Sequence, residues 1–167
     1  MARDQDLRHS RLVFYARDVQ RLDGELDAFL ELSNARSALL IDKEGHLVTR
    51  RGEPIQAGSV ESIAALVAGS FAATREMARL LGEQEFTSLF HQGQRDSIQL
   101  QLIGDRTLLA IVFDERTNLG LVRFYVQEAA RNIEQVLVEL AEQRPGEGEQ
   151  LSEHFGADAA AALDKIL

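Results

Sequence analysis

Residues 97–113 constrain the fold more than any other stretch. Ser97-Ile98-Gln99-Leu100-Gln101-Leu102 alternates strictly, so Ile98, Leu100 and Leu102 share one face of a strand and the glutamines the other. Gly104-Asp105 turns the chain, and Thr107–Phe113 then reads as a central strand covered on both faces. A short link of this kind makes a hairpin, and a second strand so apolar needs a layer of helix on each side.

The rest of the chain supplies those layers. From Asp18 to Leu32, apolar residues fall at Val19, Leu22, Leu26, Phe29 and Leu30, which is helical spacing with one wet face. Ser33-Asn34 ends that helix. Ala38-Leu39-Leu40-Ile41 reads as a doubly covered strand, Asp42-Lys43-Glu44-Gly45 as a turn, and His46–Thr49 as its hairpin partner. Ser59 is a good N-cap for a helix from Val60 to Leu81, with Glu61 in its first turn and Gly82 as its stop. Phe86–His91 is a further strand candidate. After Asp114–Asn118, a last long helix runs to about Gln143 on a stripe of Val122, Val126, Ala129, Ile133, Val136, Leu137 and Leu140. Pro145–Glu149 is a linker by composition, and Ala157–Leu167 is an amphipathic tail too short to be a stable helix alone. The order predicts a mixed α/β chain of the α+β kind, with a mostly antiparallel sheet and helices on both faces.

Composition narrows the function. The chain has 167 residues and a formal net charge of −9, which argues against binding a phosphate backbone. A domain of this length buries roughly 70% of its unfolded surface and needs no disulfide or metal to fold. The longest apolar run, Leu108–Phe113, falls far short of the ~20 residues of a membrane helix. The first fifteen residues carry Arg3, Asp4, Asp6, Arg8 and Arg11 with no apolar segment, so no secretory signal is expected. Cysteine is absent, which agrees with a cytoplasmic chain and excludes thiol chemistry.

Catalytic patterns are missing. There is no phosphate-binding Gly-x-x-x-x-Gly-Lys loop and no Gly-x-Gly-x-x-Gly, and His9, His46, His91 and His154 lie on four different elements without ligand spacing. Asp42–Gly45 lacks the third acidic ligand and the closing glutamate of a calcium loop and reads as a plain turn. His91 and the Asp114-Glu115-Arg116 cluster are the places where acid–base chemistry would have to sit, and no nucleophile stands near either. No cofactor and no metal are expected. The informative element is the Val60–Leu81 helix. Ala65, Ala68, Gly69 and Ala72 recur at spacings of three and four, so they share a stripe on which another helix can approach closely. The large residues Ile63, Leu66, Val67, Phe71, Met77, Leu80 and Leu81 are then left to face the sheet. The same alanines would also serve for packing within one molecule, and both uses stand at this point.

Several runs together resemble the Roadblock/dynein-light-chain superfamily. They are Ser37–Gly45, Leu66–Ala73, Leu81–Phe86 and Phe90–Gly93. Ile111–Arg123 and Leu12–Tyr15 are similar to its bacterial MglB-type branch, and the likeness covers about residues 12–142. The resemblance implies a five-stranded antiparallel sheet with the middle helix on one face and the outer two on the other. It implies a homodimer with a continuous sheet, joined through Phe86, Leu89, Phe90 and His91 of the Phe86–Gly93 strand. It divides the chain into a Roadblock-type domain over residues 1–144 and a linker with tail helix over 145–167.

The branch implies a non-catalytic regulator that activates GTP hydrolysis by a small Ras-like GTPase of the MglA type, in cell-polarity and motility systems. Two subunits hold one GTPase and shift its switch regions without an arginine finger. The implied docking residues are Ala65, Ala68, Gly69, Ala72, Ala73 and Glu76, and terminal segments of such proteins also grip the GTPase. Arg75-Glu76 departs from the small or neutral residues expected at the end of the docking helix. Two other readings stand beside this one. A Roadblock homodimer could be a scaffold without effect on hydrolysis, and a small-molecule enzyme or sensor would need a deep polar pocket near His91 or Asp114.

Overall fold

The computed structural model describes residues 16–55 and 60–142. In chain order the elements are α1 (Ala16–Ser33), β1 (Ser37–Asp42), β2 (Leu47–Gly52), α2 (Val60–Leu80), β3 (Ser88–Gln92), β4 (Ser97–Ile103), β5 (Thr107–Phe113) and α3 (Leu119–Glu142). The five strands form one sheet in the order β2-β1-β5-β4-β3, and every neighbouring pair is antiparallel. Two compact units divide the chain: residues 14–134, which hold the sheet, and a second made of 1–13 and 135–167. The described part of the second unit is the end of α3, where Val136, Leu137 and Leu140 are buried. The expected cap Ser59 and the tail from Pro145 lie outside the described residues.

Side chains alternate between the two faces of the sheet, and in the central strands β1 and β5 both faces are buried, so each face is covered by helix. Leu39 and Ile41 of β1, Leu108 and Ala110 of β5, and Leu100 of β4 form one core cluster with Ala64, Val67, Ala68 and Phe71 of α2. Each large aliphatic side chain fully buried there contributes about 1.5–3 kcal/mol. The opposite face, with Ala38, Leu40, Leu109, Ile111 and Phe113, is left to α1 and α3. On that face Thr49 and Arg51 of β2 stand opposite Leu40 and Ala38. Thr49 donates to Asp23 of α1, and Arg51 makes a two-pronged bond of 2.8 and 2.9 Å to Asp27. Asn132 of α3 donates to Glu25 of α1 at 3.2 Å, which joins the two helices of the layer.

The helix ends follow their local chemistry. α1 stops where Asn34 takes φ 59°. α2 closes with Gly82 at φ 82°, its N–H bonding Arg79 O at 3.1 Å while Glu83 N bonds Ala78 O at 2.9 Å. Those paired bonds satisfy carbonyls that the helix end would otherwise leave open.

Two strands differ from their expected bounds by two residues or more at one end. β2 continues through Arg50, Arg51 and Gly52, because all three pair with β1 across a bulge between Leu40 and Ile41. β3 is Ser88–Gln92 and excludes Phe86. Its register runs back from the Gln92–Ser97 rung, and the last bond, Leu102 N to Thr87 O at 2.8 Å, leaves Phe86 outside the ladder. Among the described residues no helix is long and apolar enough to cross a membrane.

Candidate functional site: the outer face of α2 and the β3 edge

The buried residues of α2 are Ala64, Val67, Ala68, Phe71 and Ala78, and the first four pack on the sheet in one cluster with Val60 and Ile63 at its margin. Helical geometry then fixes what faces away. Leu66, Gly69, Ala73, Met77 and Leu80 follow one another at spacings of three or four along the opposite side. Leu66, Met77 and Leu80 are 72, 52 and 76% exposed, and Leu81 beyond them is 73% exposed. Ala65, Ala72, Ala73 and Glu76 are exposed as well. A row of bare leucine and methionine on one helix, with glycine and alanine between them, is a contiguous apolar surface and not a scatter of single residues.

Two expectations for this helix are corrected. Ala68 is only 7% exposed and packs in the core, so it is not part of the outer surface. The small and large residues also do not sort onto separate faces. Alanines at 64 and 68 let the helix backbone come close to the sheet, and Leu66, Met77, Leu80 and Leu81 are exposed instead. Gly69 has open space beside it, for a β-carbon there would meet nothing within 4 Å.

The charges at the end of α2, which depart from the family pattern, are engaged within the chain. Glu76 pairs with Arg79 three residues on. Arg75 reaches Glu85 at 2.8 Å, and Lys43 of the β1–β2 turn reaches the same carboxylate oxygen at 3.2 Å. Burial alone would push the Glu85 carboxyl up, but the hydrogen bonds from Arg75 and Lys43 outweigh it and hold it below its ordinary value.

β3 is an edge strand, and its outer side pairs with no other strand among the described residues. Leu89, half-buried, packs on the α2 side of the sheet. Phe90 points to the other side and stacks on Phe113, with ring centroids 6.1 Å apart and planes 18° from parallel. His91 is exposed, and Phe86 is half-buried just ahead of the strand. An uncovered edge of this kind offers a row of backbone donors and acceptors to another strand.

Of the other places considered for chemistry, the Asp114-Glu115-Arg116 cluster is tied into a network of ion pairs. Asp114 accepts from the Arg116 side chain at 3.0 Å, Arg116 also reaches Glu53 at 2.7 Å, and Arg36 ties Glu53 at 3.0 Å to Asp96 at 2.7 Å. Hydrogen bonds from Arg116, with Arg36 adding to them, hold both Glu53 and Asp114 below the usual carboxylate range. This hub joins four loops that are far apart in sequence, and only its Asp114–Arg116 pair lies within a local cluster. Beside it lies a cleft of about 800 Å³ lined by Arg36, Phe90, Arg95, Asp96, Phe113 and Asp114, of which His91 is not part. Asp42, Glu44 and His46 bring ligand atoms within 4.8 Å of one another. There Asp42 serves the turn, its Oδ1 accepting from the N–H groups of Glu44 and His46 at 2.9 and 2.8 Å.

A five-stranded antiparallel sheet between one helix and a pair, with a helix face and a strand edge that no other described residue covers, defines an interaction domain of the regulatory or adaptor kind. The Roadblock/LC7 domain model matches residues 22–113, and the chain belongs to that family. Among solved structures it is similar to Myxococcus xanthus MglB at 35% identity, over 77% of this chain and 96% of that one, with a TM-score of 0.71. The gliding protein MglB from Thermus thermophilus gives 35% identity over the same shares and a TM-score of 0.70. An MglB described as having a tetrameric arrangement gives 34%, again over the same shares, and 0.73. No curated protein sequence matches significantly.

Proposed function

We propose that the chain works as a cytoplasmic homodimer that binds a small Ras-like GTPase of the MglA type and speeds its GTP hydrolysis. The observation that carries this reading is the uncovered apolar stripe of α2, Leu66-Gly69-Ala73-Met77-Leu80, in a chain whose similar structures are MglB proteins. Pairing of two β3 edges would complete the sheet across a two-fold axis and remove an exposed edge. It would also bring two copies of α2 together, so that two subunits serve one GTPase. Ala65, Gly69, Ala72, Ala73 and Glu76 are the residues proposed to meet the GTPase, with Leu89, Phe90 and His91 along the seam and Phe86 at its entrance.

The mechanism is one of positioning. Arg75 and Arg79 are both held by carboxylates of their own chain, which suits a regulator that inserts no arginine finger. The dimer would press on the switch regions and align the GTPase's own groups on the attacking water, so that charge in the transition state is stabilised in cis. Residues 1–144 form the regulatory domain in this reading, and 145–167 are a linker and tail that add contacts, within a polarity or motility system. The test is GTP hydrolysis by the Ras-like GTPase of the same organism, together with its binding in the GTP and GDP states. Acceleration with preference for the GTP state is expected. Binding that ignores the nucleotide and leaves turnover unchanged would make the chain a scaffold instead.

A further inference from the structure

The loop between α2 and β3 is fixed at its two ends by backbone bonds. Glu83 N bonds Ala78 O at its start, and Thr87 O accepts from Leu102 N at its end. Between them a single side chain, Glu85, meets two basic groups from two other parts of the fold. Its Oε1 lies 2.8 Å from Arg75 Nη2 of α2 and 3.2 Å from Lys43 Nζ of the β1–β2 turn. The Glu85 side chain is only 22% exposed, so solvent screens these contacts less than it would at an open surface. The turn that carries Lys43 is itself seated on α2, at Ala65.

We propose that Glu85 is a positioning residue for the dimer seam: by drawing Lys43 and Arg75 onto one carboxylate it fixes where β3 enters the sheet. This rests on the homodimer reading above. β3 has only five residues, and its side chains must keep their alternation for Leu89 and Phe90 to reach opposite faces. The Gln92–Ser97 rung sets the register at the far end of β3, so an entrance without an anchor frays from Thr87 onward. Without the carboxylate, Lys43 and Arg75 are left as neighbouring like charges, and the entrance of the strand loses its anchor. The charged residue that departs from the family pattern, Arg75, thus has a task inside the chain.

The experiment is sedimentation equilibrium of the full chain, paired with hydrogen exchange. Glu85→Gln should raise the dimer dissociation constant about five- to tenfold. Exchange should quicken at residues 84–92 and stay unchanged in β1 and β5, with no general loss of stability. Lys43→Met should weaken the dimer by itself, and should weaken it no further once Glu85 is glutamine, where it removes one of two like charges. The double variant Lys43→Gln with Arg75→Gln keeps the carboxylate and must show the same rise, which covers the case of a Glu85→Gln chain that does not fold. A dimer indifferent to both the single and the double variant, or exchange quickened equally in all strands, overturns this inference alone. A wild-type chain that stays monomeric at every concentration overturns the homodimer reading and this inference with it.

Discussion

Gly45 and Ala65 are in contact so close that a β-carbon on the glycine would lie 3.0 Å from the Ala65 Cα. Gly45 has φ 94°, so the turn needs glycine for its backbone as well as for the space. Gly45→Val is expected to lower the free energy of unfolding by about 2 kcal/mol or more, from backbone strain and overpacking together. Urea denaturation checks this, and an unchanged midpoint would mean that the turn does not rest on α2.

Ala68 and Ala72 are four residues apart and make opposite predictions. Ala68 is buried against the sheet, so Ala68→Arg should destabilise the chain by about 3 kcal/mol or more, through an uncompensated charge in the core. Ala72 is exposed, and Ala72→Arg should stay within about 0.5 kcal/mol of wild type while disturbing the partner surface. Thermal melts of the two variants side by side decide whether the helix faces are assigned correctly.

Gly69 separates stability from function. Glycine inside a helix costs about 1 kcal/mol relative to alanine, and nothing in this chain crowds the position. Gly69→Ala should therefore raise the melting temperature of the isolated protein. If a partner approaches α2 closely there, the same change should weaken stimulation of the GTPase. A variant that is both more stable and fully active would show that no close approach occurs at Gly69.

Acid should weaken the fold through the hub around Arg116. Glu53 and Asp114 titrate lower in the folded chain than in the unfolded one, chiefly because of hydrogen bonds from Arg116. Their contribution is therefore complete above the ordinary carboxylate range of about pH 4 and is lost as pH falls through the depressed folded values. Melting temperature measured from neutral pH downwards should drop below about pH 4, and Arg116→Met should flatten that drop. A parallel fall in both proteins would mean that the hub does not set the acid stability.

What can be read from sequence divides along physical lines. Thr107–Phe113 is a strand with the bounds expected, since an apolar run flanked by Gly104-Asp105 and Asp114 has one way to be covered. Gly82 ends α2 as read, because a left-handed stop is a local requirement. The faces of α2 are harder. Sorting its residues by size puts Leu66 and Leu80 against the sheet, whereas the phase set by Val67, Phe71 and Ala78 turns them outward. The Arg36–Glu53–Arg116 hub and the meeting of Lys43, Arg75 and Glu85 join positions far apart in the chain, and no periodic pattern reports them.

The decisive measurement is single-turnover GTP hydrolysis by the Ras-like GTPase of the same organism, with the wild-type chain and with Ala72→Arg at twofold excess. A large acceleration by the wild type is expected, lost in the variant although the variant remains folded. Hydrolysis that proceeds at the same rate with and without the wild-type chain would contradict a GTPase-activating role.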